Sequence, residues 1–172
     1  MADDASAFPV RAAMDDDRHG LVDLLNEIVR VGGTTAIETP LDPATFADWF
    51  LDGARCLSCF VADAPDGVAL GFQALGTHAK LPPACGDIAT FVRLGHAGRG
   101  IGRALFRRTV EAARKAGLTE LNATIRADND GGLGFYSRLG FVDHHRERDV
   151  PLQDGTAVDR LSKRYAVHAP DA

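Results

Sequence analysis

Two hydrophobic periodicities alternate along the chain. After a short polar start, PVRAA reads as a first strand, and Asp15, Asp16 and Asp17 precede a stretch in which Leu21, Leu24, Leu25, Ile28 and Val31 recur at helical spacing. Gly32 and Gly33 end it. A loop, TTAIETPLD, leads to Pro43, which suits the first turn of a short helix carrying Phe46, Trp49 and Phe50. The pattern then turns to strands. CLSCFVA and ALGFQALG flank the turn PDG as a hairpin, and DIATFVRL reads as a buried strand. Helical spacing returns from Gly102 to Ala116 and stops at Gly117, and ELNATIR is the next strand, so strand, crossover helix and strand form a unit whose two strands run parallel. ADNDGG opens another helix with Leu133, Phe135, Tyr136 and Leu139, closing at Gly140. Two late strands, 141–148 and 158–167, pair antiparallel across QDGT. The pattern predicts one α/β domain with a mixed sheet over residues 8–167, with flexible tails at 1–7 and 168–172.

Composition narrows the classes. At 172 residues, 45% hydrophobic and 25% charged, the chain has the size and make-up of one soluble domain. A net charge of −5 argues against a non-specific nucleic-acid binder, and no apolar run approaches the ~20 residues of a membrane span. The acidic start MADDASAF lacks the apolar segment of a secretory leader, and three cysteines are an odd number, which together point to a reduced, cytoplasmic protein. Cys56 and Cys59 form a CxxC, but positions three apart on a strand face opposite sides and no second ligand pair has zinc spacing. They read as buried strand cysteines, and no metal is expected.

The candidate chemistry lies between Asp87 and Phe141. The turn GRGIG, Gly98 to Gly102, joins a buried strand to a helix, so several unpaired main-chain N–H groups converge on one spot, and the helix dipole favours an anion there. Missing Cβ atoms would let a pyrophosphate approach the main chain. Arg93, Arg99, Arg103, Arg107 and Arg108 supply local positive charge, with Arg99 and Arg103 the candidates for a phosphate contact and a solvated helix face the other reading.

With these parts in order, the chain resembles the GNAT superfamily of acetyl-CoA-dependent N-acetyltransferases. The resemblance rests on HAGRGIGRAL (His96 to Leu105), TIRADN (Thr124 to Asn129) and FYSRLGF (Phe135 to Phe141). It implies a mixed, mostly antiparallel central sheet with a splayed parallel strand pair, flanked by helices. It also implies acetyl-CoA as cosubstrate, held by the main chain from Gly98 through Arg99, Gly100, Ile101 and Gly102 to Arg103. The family's leading basic residue falls on Ala97, a departure that removes one side chain and leaves the amides. By the same resemblance, the main chain at Thr90, Phe91 and Val92 pairs with the pantetheine arm like an added strand, and Asn129 contacts it. Asn129 as a helix cap is the plainer reading.

Tyr136 matches the tyrosine that protonates the departing thiolate in many members. At reference pKa values near 10 and ~8.5, that transfer is uphill by only ~2 kcal/mol. The position of a strand glutamate that serves some relatives as base is Thr124 here, which cannot do that work, and Asp87 is the nearest acidic candidate. The acceptor implied is the primary amine of a small molecule. GTTAIETP and LDPATFADWF are similar to the phosphinothricin and amino-acid acetyltransferase branch, with Thr35, Glu38 and Trp49 as pocket candidates, and the last hairpin is an edge that supports homodimers in this family. Two rivals stand beside this reading. A non-catalytic acetyl-CoA-binding module would share the Gly98 to Arg103 site, and an NAD(P)-dependent oxidoreductase would share a strand, glycine turn and helix. The latter is opposed by GxGxG in place of GxGxxG and by Glu120 preceding its strand.

Overall fold

Among the described residues, seven strands form one sheet. The computed structural model describes residues 8–168. The strands are β1 (Val10–Ala12), β2 (Cys56–Asp63), β3 (Ala69–Gly76), β4 (Cys85–Val92), β5 (Glu120–Arg126), β6 (Val142–Pro151) and β7 (Ala157–Ala166). The helices are α1 (Arg18–Val31), α2 (Pro43–Phe50), α3 (Ile101–Lys115) and α4 (Asp130–Arg138), with a 3-10 turn at Asp15–Asp17 leading into α1. The spatial order is β1-β2-β3-β4-β5-β7-β6, and only β4 and β5 pair parallel. The α/β fold with a mostly antiparallel sheet and one parallel pair is therefore the one expected. The expected tails at 1–7 and 169–172 lie outside the described residues. Residue 168 is tied down rather than loose, because Arg114 Nε donates to the His168 carbonyl at 2.6 Å.

Strand alternation divides the core. On one face Leu21, Leu24, Leu25 and Ile28 of α1 and Phe46 and Phe50 of α2 pack on Val61, Phe72, Ala74 and Phe91. On the other, Phe106, Val110 and Ala113 of α3 and Tyr136 of α4 cover Leu75, Ile88, Leu121, Ala123 and Ile125. Along β3, β4 and β5, alternate residues therefore face one helix pair or the other.

The parallel ladder has three rungs, Cys85↔Glu120, Gly86↔Leu121 and Asp87↔Asn122. Beyond them β4 stays with β3 as far as Val92, while β5 stays with β7 as far as Arg126. The two strands thus part after Asp87 and Asn122. Their facing edges carry main-chain donors and acceptors that no strand pairs, and this gap positions the site.

Candidate active site

The glycine turn sits at the wide end of the gap. Gly98 has φ 78° and Gly100 φ 87°, left-handed values that a side chain disfavours, and at neither position would a Cβ meet any described atom. These two glycines serve the path of the turn. Gly102 serves packing: a Cβ there would stand 2.6 Å from Phe135 Cε2, so α3 and α4 touch only because the side chain is missing. Gly100 accepts from Ala104 N–H at 3.0 Å as α3 begins, while among the described residues the amides from Gly98 to Arg103 have no main-chain or side-chain acceptor. A helix start with unspent donors fits a phosphate group. Arg99 and Arg103 are exposed beside it. Arg93 is held by the Ala69 carbonyl at 3.0 Å, and Arg108 lies over the Phe60 ring at 5.3 Å, so both are engaged by the fold.

On β4 the register sharpens the expectation for Thr90, Phe91 and Val92. Arg93 N–H donates to Leu70 O at 2.8 Å, and with Phe72↔Phe91 in the same ladder, the alternation turns the Phe91 amide toward β3. Thr90 and Val92 turn theirs toward the gap. Phe91 instead contributes its ring, 5.0 Å from Phe72, to the core beneath α1 and α2.

Tyr136 reaches the same point from the α3/α4 face. Its hydroxyl lies 2.9 Å from Thr90 Oγ1, which accepts from Gln73 Nε2 at 2.8 Å. The ring is buried among Phe135 at 4.9 Å and Phe141 at 5.1 Å, so the packing role and the polar contact coexist. Burial pushes the Tyr136 phenol well above its ordinary value, and the Thr90 hydrogen bond pulls the other way.

The opposite face holds a cavity of about 660 Å³, lined by Trp49 and Phe50 of α2, by Arg55 and His78, and by Asp87 and Ala89 of β4. Asp87 accepts from Asn122 Nδ2 at 2.9 Å, and Asn122 Oδ1 accepts from Arg164 Nε at 3.0 Å. Burial raises the Asp87 carboxyl above the usual carboxylate range, against the lowering effects of the Asn122 hydrogen bond and of the His78 and Arg164 charges. Thr124, the expected non-base, is exposed, with its hydroxyl 3.1 Å from Asn122 Nδ2 and 3.2 Å from Ser162 Oγ.

Asn129 is the N-cap of α4. Its Oδ1 accepts from Gly132 N–H and its Nδ2 donates to Thr34 O, both at 2.9 Å. A Cβ at Gly132 would stand 2.6 Å from that Nδ2, so this glycine answers to the cap and needs no ligand to explain it. The loop between α1 and α2 is pinned from further sides: Asn26 pairs both ways with the Leu41 main chain at 2.8 and 2.9 Å, and Glu38 accepts from Gln153 N–H at 2.9 Å. Thr35 accepts from Ile37 N–H at 3.1 Å. Of the three pocket candidates only Trp49 lines the cavity; Thr35 and Glu38 hold the loop. The cysteines do not separate as alternation would have them: a register shift between Cys56 and Ser58 sets Cys56 opposite Gly76 and Cys59 opposite Ala74, so both face α2. Cys59 is buried, its thiol pushed up to about 12 by burial, while Cys56 is half-buried beneath the end of α2.

Sequence reasoning missed Gln73, Asn122, Arg164 and His78. The first two carried a signal, a polar amide set among apolar neighbours in GFQAL and ELNAT. Arg164 and His78 carried none, because only the pairing of β5 with β7 and the path after β3 bring them to Asp87.

The chain is similar to known proteins. The model of the Acetyltransferase (GNAT) family matches residues 21–141. A Pseudomonas aeruginosa protein named L-methionine sulfoximine/L-methionine sulfone acetyltransferase is 34% identical over 137 residues, 77% of this chain and 78% of that one. Phosphinothricin N-acetyltransferase of Streptomyces coelicolor is 28% identical over 156 residues, 87% of this chain and 91% of that one. Among solved structures, a GNAT superfamily phosphinothricin acetyltransferase from Sinorhizobium meliloti in complex with AcCoA superposes with a TM-score of 0.82 at 19% identity, covering 93% of this chain and 88% of that one. That likeness speaks to the fold.

Proposed function

Because the chain belongs to the GNAT family of acetyltransferases, we propose that it acetylates the primary amine of a small amino acid or amino-acid analogue, with Asp87 as base and Tyr136 as acid. The observation that carries this reading is the placement of the two groups on opposite faces of one parted strand pair. Asp87 lines the cavity beneath α2, Tyr136 stands beneath α3 and α4, and Thr90 between them touches Tyr136 at 2.9 Å. An acceptor entering from the cavity and a donor lying along the gap would meet where β4 and β5 separate.

Acetyl-CoA, when bound, supplies the acetyl group as a thioester. The residues present fit it: unspent amides from Gly98 to Arg103 for the phosphates, exposed Arg99 and Arg103 beside them, and the gap-facing amides of Thr90 and Val92 for the pantetheine arm. A gap-facing strand amide is also suited to stabilise charge on a carbonyl oxygen. Asp87 takes a proton from the incoming amine, its raised pKa making it a better base than a solvated carboxylate. Tyr136 holds a proton for sulfur. Its high pKa is less of an obstacle than in water, because a thiolate in the same buried surroundings is disfavoured for the same reason.

The acceptor class draws support from the relatives named for methionine sulfoximine, methionine sulfone and phosphinothricin, and from Arg55 and His78 on the cavity wall. Asn129 acts on this site by holding the α1–α2 loop. We assign the protein to the cytoplasm and read its last hairpin as a homodimer edge, since the β6 side chains are almost all exposed. The test of the cofactor assignment is a thermal shift with acetyl-CoA, NAD and NADP in parallel. A ligand at about 100 times its Kd adds about 2.7 kcal/mol of stability. A shift with acetyl-CoA alone supports the assignment, and a shift with a nicotinamide nucleotide alone overturns it.

A further inference from the structure

Gln73 is fully buried in the middle of β3, an amide with no solvent contact facing the same helices as Tyr136. It pairs with Thr90 across the β3–β4 ladder, and its Nε2 donates to Thr90 Oγ1 at 2.8 Å. Its Oε1 is buried without a partner. Turning the amide over would present Oε1 to Thr90 but strand the two N–H donors of Nε2. An orphaned buried donor is the rarer condition in folded proteins, so the observed orientation is the favourable one.

That orientation polarises the rest of the hydroxyl chain. A hydroxyl has one proton, and Thr90, accepting from Gln73, cannot return its proton to that donor. Its other partner is Tyr136 Oη at 2.9 Å. The Thr90 oxygen could accept from Tyr136 as well, but its own proton would then have no acceptor among the described residues, so Thr90 donates to Tyr136, the phenol oxygen accepts, and the phenol proton is left to point elsewhere. If Oε1 faced Thr90 instead, Thr90 would donate backward, Tyr136 would donate to Thr90, and the phenol proton would be consumed inside the protein.

We infer that Gln73 is a positioning residue which, through Thr90, sets the direction of the hydroxyl chain so that the Tyr136 proton is presented to the strand gap. The inference rests on Tyr136 serving as the acid. In the step itself the C–S bond breaks, sulfur keeps the electron pair and takes the Tyr136 proton, and the phenolate left behind is held by the Thr90 O–H. Solvent restores the phenol proton before the next cycle, matching the proton that the amine gave up.

Two readouts test this. The first uses protein without ligand. The chain has two tyrosines, so carbon NMR of Cζ-labelled tyrosine, assigned with Tyr165→Phe, reports whether the Tyr136 oxygen accepts a hydrogen bond. Gln73→Met and Thr90→Val should both move the Tyr136 signal, and Thr90→Ser should leave it in place. The second is the single-turnover rate of thioester loss, with L-methionine sulfoximine as acceptor and with water alone, since the same sulfur is protonated either way. Gln73→Met and Thr90→Val should each slow it about tenfold, with the acetyl-CoA Kd changed less than about twofold, and neither should slow Tyr136→Phe further. Thr90→Val keeps the inference testable should Gln73→Met unfold. An unmoved Tyr136 signal, or additive losses in the Tyr136→Phe background, overturns the inference while leaving the acid role intact. A wild-type rate for Tyr136→Phe itself removes the acid role, and the inference with it.

Discussion

Asp87 and Asn122 close the last rung of the parallel ladder and are joined across it, Asn122 Nδ2 donating to the Asp87 carboxylate at 2.9 Å. The pair marks where β4 and β5 part. Arg164 fixes the far side of the Asn122 amide at 3.0 Å, so the carboxylate meets its partner in one orientation while its other side faces the cavity. The same rung therefore ends the sheet contact and aims the Asp87 carboxylate at the cavity.

The direction of the Asp87 shift gives a prediction with a sign. Burial raises its pKa in the folded protein, so its contribution to stability is present at low pH and is lost as pH rises through the folded value. Asp87→Asn removes that loss. The variant should melt higher than the parent at pH ~8, and the advantage should shrink toward pH ~3, below the ordinary Asp value of ~3.9. Transfer should fall about 100-fold, and the acid limb of the parent's kcat/KM profile should vanish. Melting curves and rates across pH check both halves; a variant with unchanged rate removes Asp87 from the mechanism.

Gly102 predicts a packing defect and its repair. An added methyl would meet Phe135 Cε2 at 2.6 Å, so Gly102→Ala should lower stability by about 1–3 kcal/mol through overpacking of α3 on α4. Phe135→Leu in the same chain should restore most of it. Denaturant melts of the single and double variants measure this directly. Equal losses in both would mean that the methyl meets something other than the ring.

Asn129 separates two roles by which substrate suffers. Asn129→Ala should cost about 1 kcal/mol as a lost helix cap. It also frees the α1–α2 loop from the bond to Thr34 at 2.9 Å, so the acceptor KM should rise about tenfold while that for acetyl-CoA stays within about twofold. The reverse pattern in steady-state kinetics would instead make Asn129 the pantetheine contact that the family resemblance implies.

Local signals explain what was legible in the sequence. Helix periodicity, turn glycines and the proline at the start of α2 each act within a few residues, and ELNATIR falls on β5, Glu120–Arg126, without adjustment. Strand β6 runs on to Pro151, past the expected end at residue 148, with register shifts beside Asp143 and Glu147 and with Asp149 at φ 53°, while β7 keeps its expected length. Motif positions marked Tyr136 and the glycine turn as candidates, and the fold brings both to the gap between β4 and β5. The role of each glycine was not legible, because GRGIG cannot say that Gly102 faces a phenylalanine from another helix. Nor were the partners of Asp87 and Tyr136. Gln73 and Thr90 lie 17 residues apart and Asn122 and Arg164 lie 42 apart, so only strand register joins them.

The central claim is that this site moves an acetyl group from acetyl-CoA to the amine of a small amino-acid analogue. The direct measurement is incubation of the protein with acetyl-CoA and L-methionine sulfoximine, with the free thiol counted and the products identified by mass. The account predicts N-acetylated sulfoximine and CoA thiol in equal amounts, with both lost together in Tyr136→Phe. Tight acetyl-CoA binding with no thiol released, across that acceptor, methionine sulfone and phosphinothricin, would contradict it and favour a module that binds acetyl-CoA without transferring it.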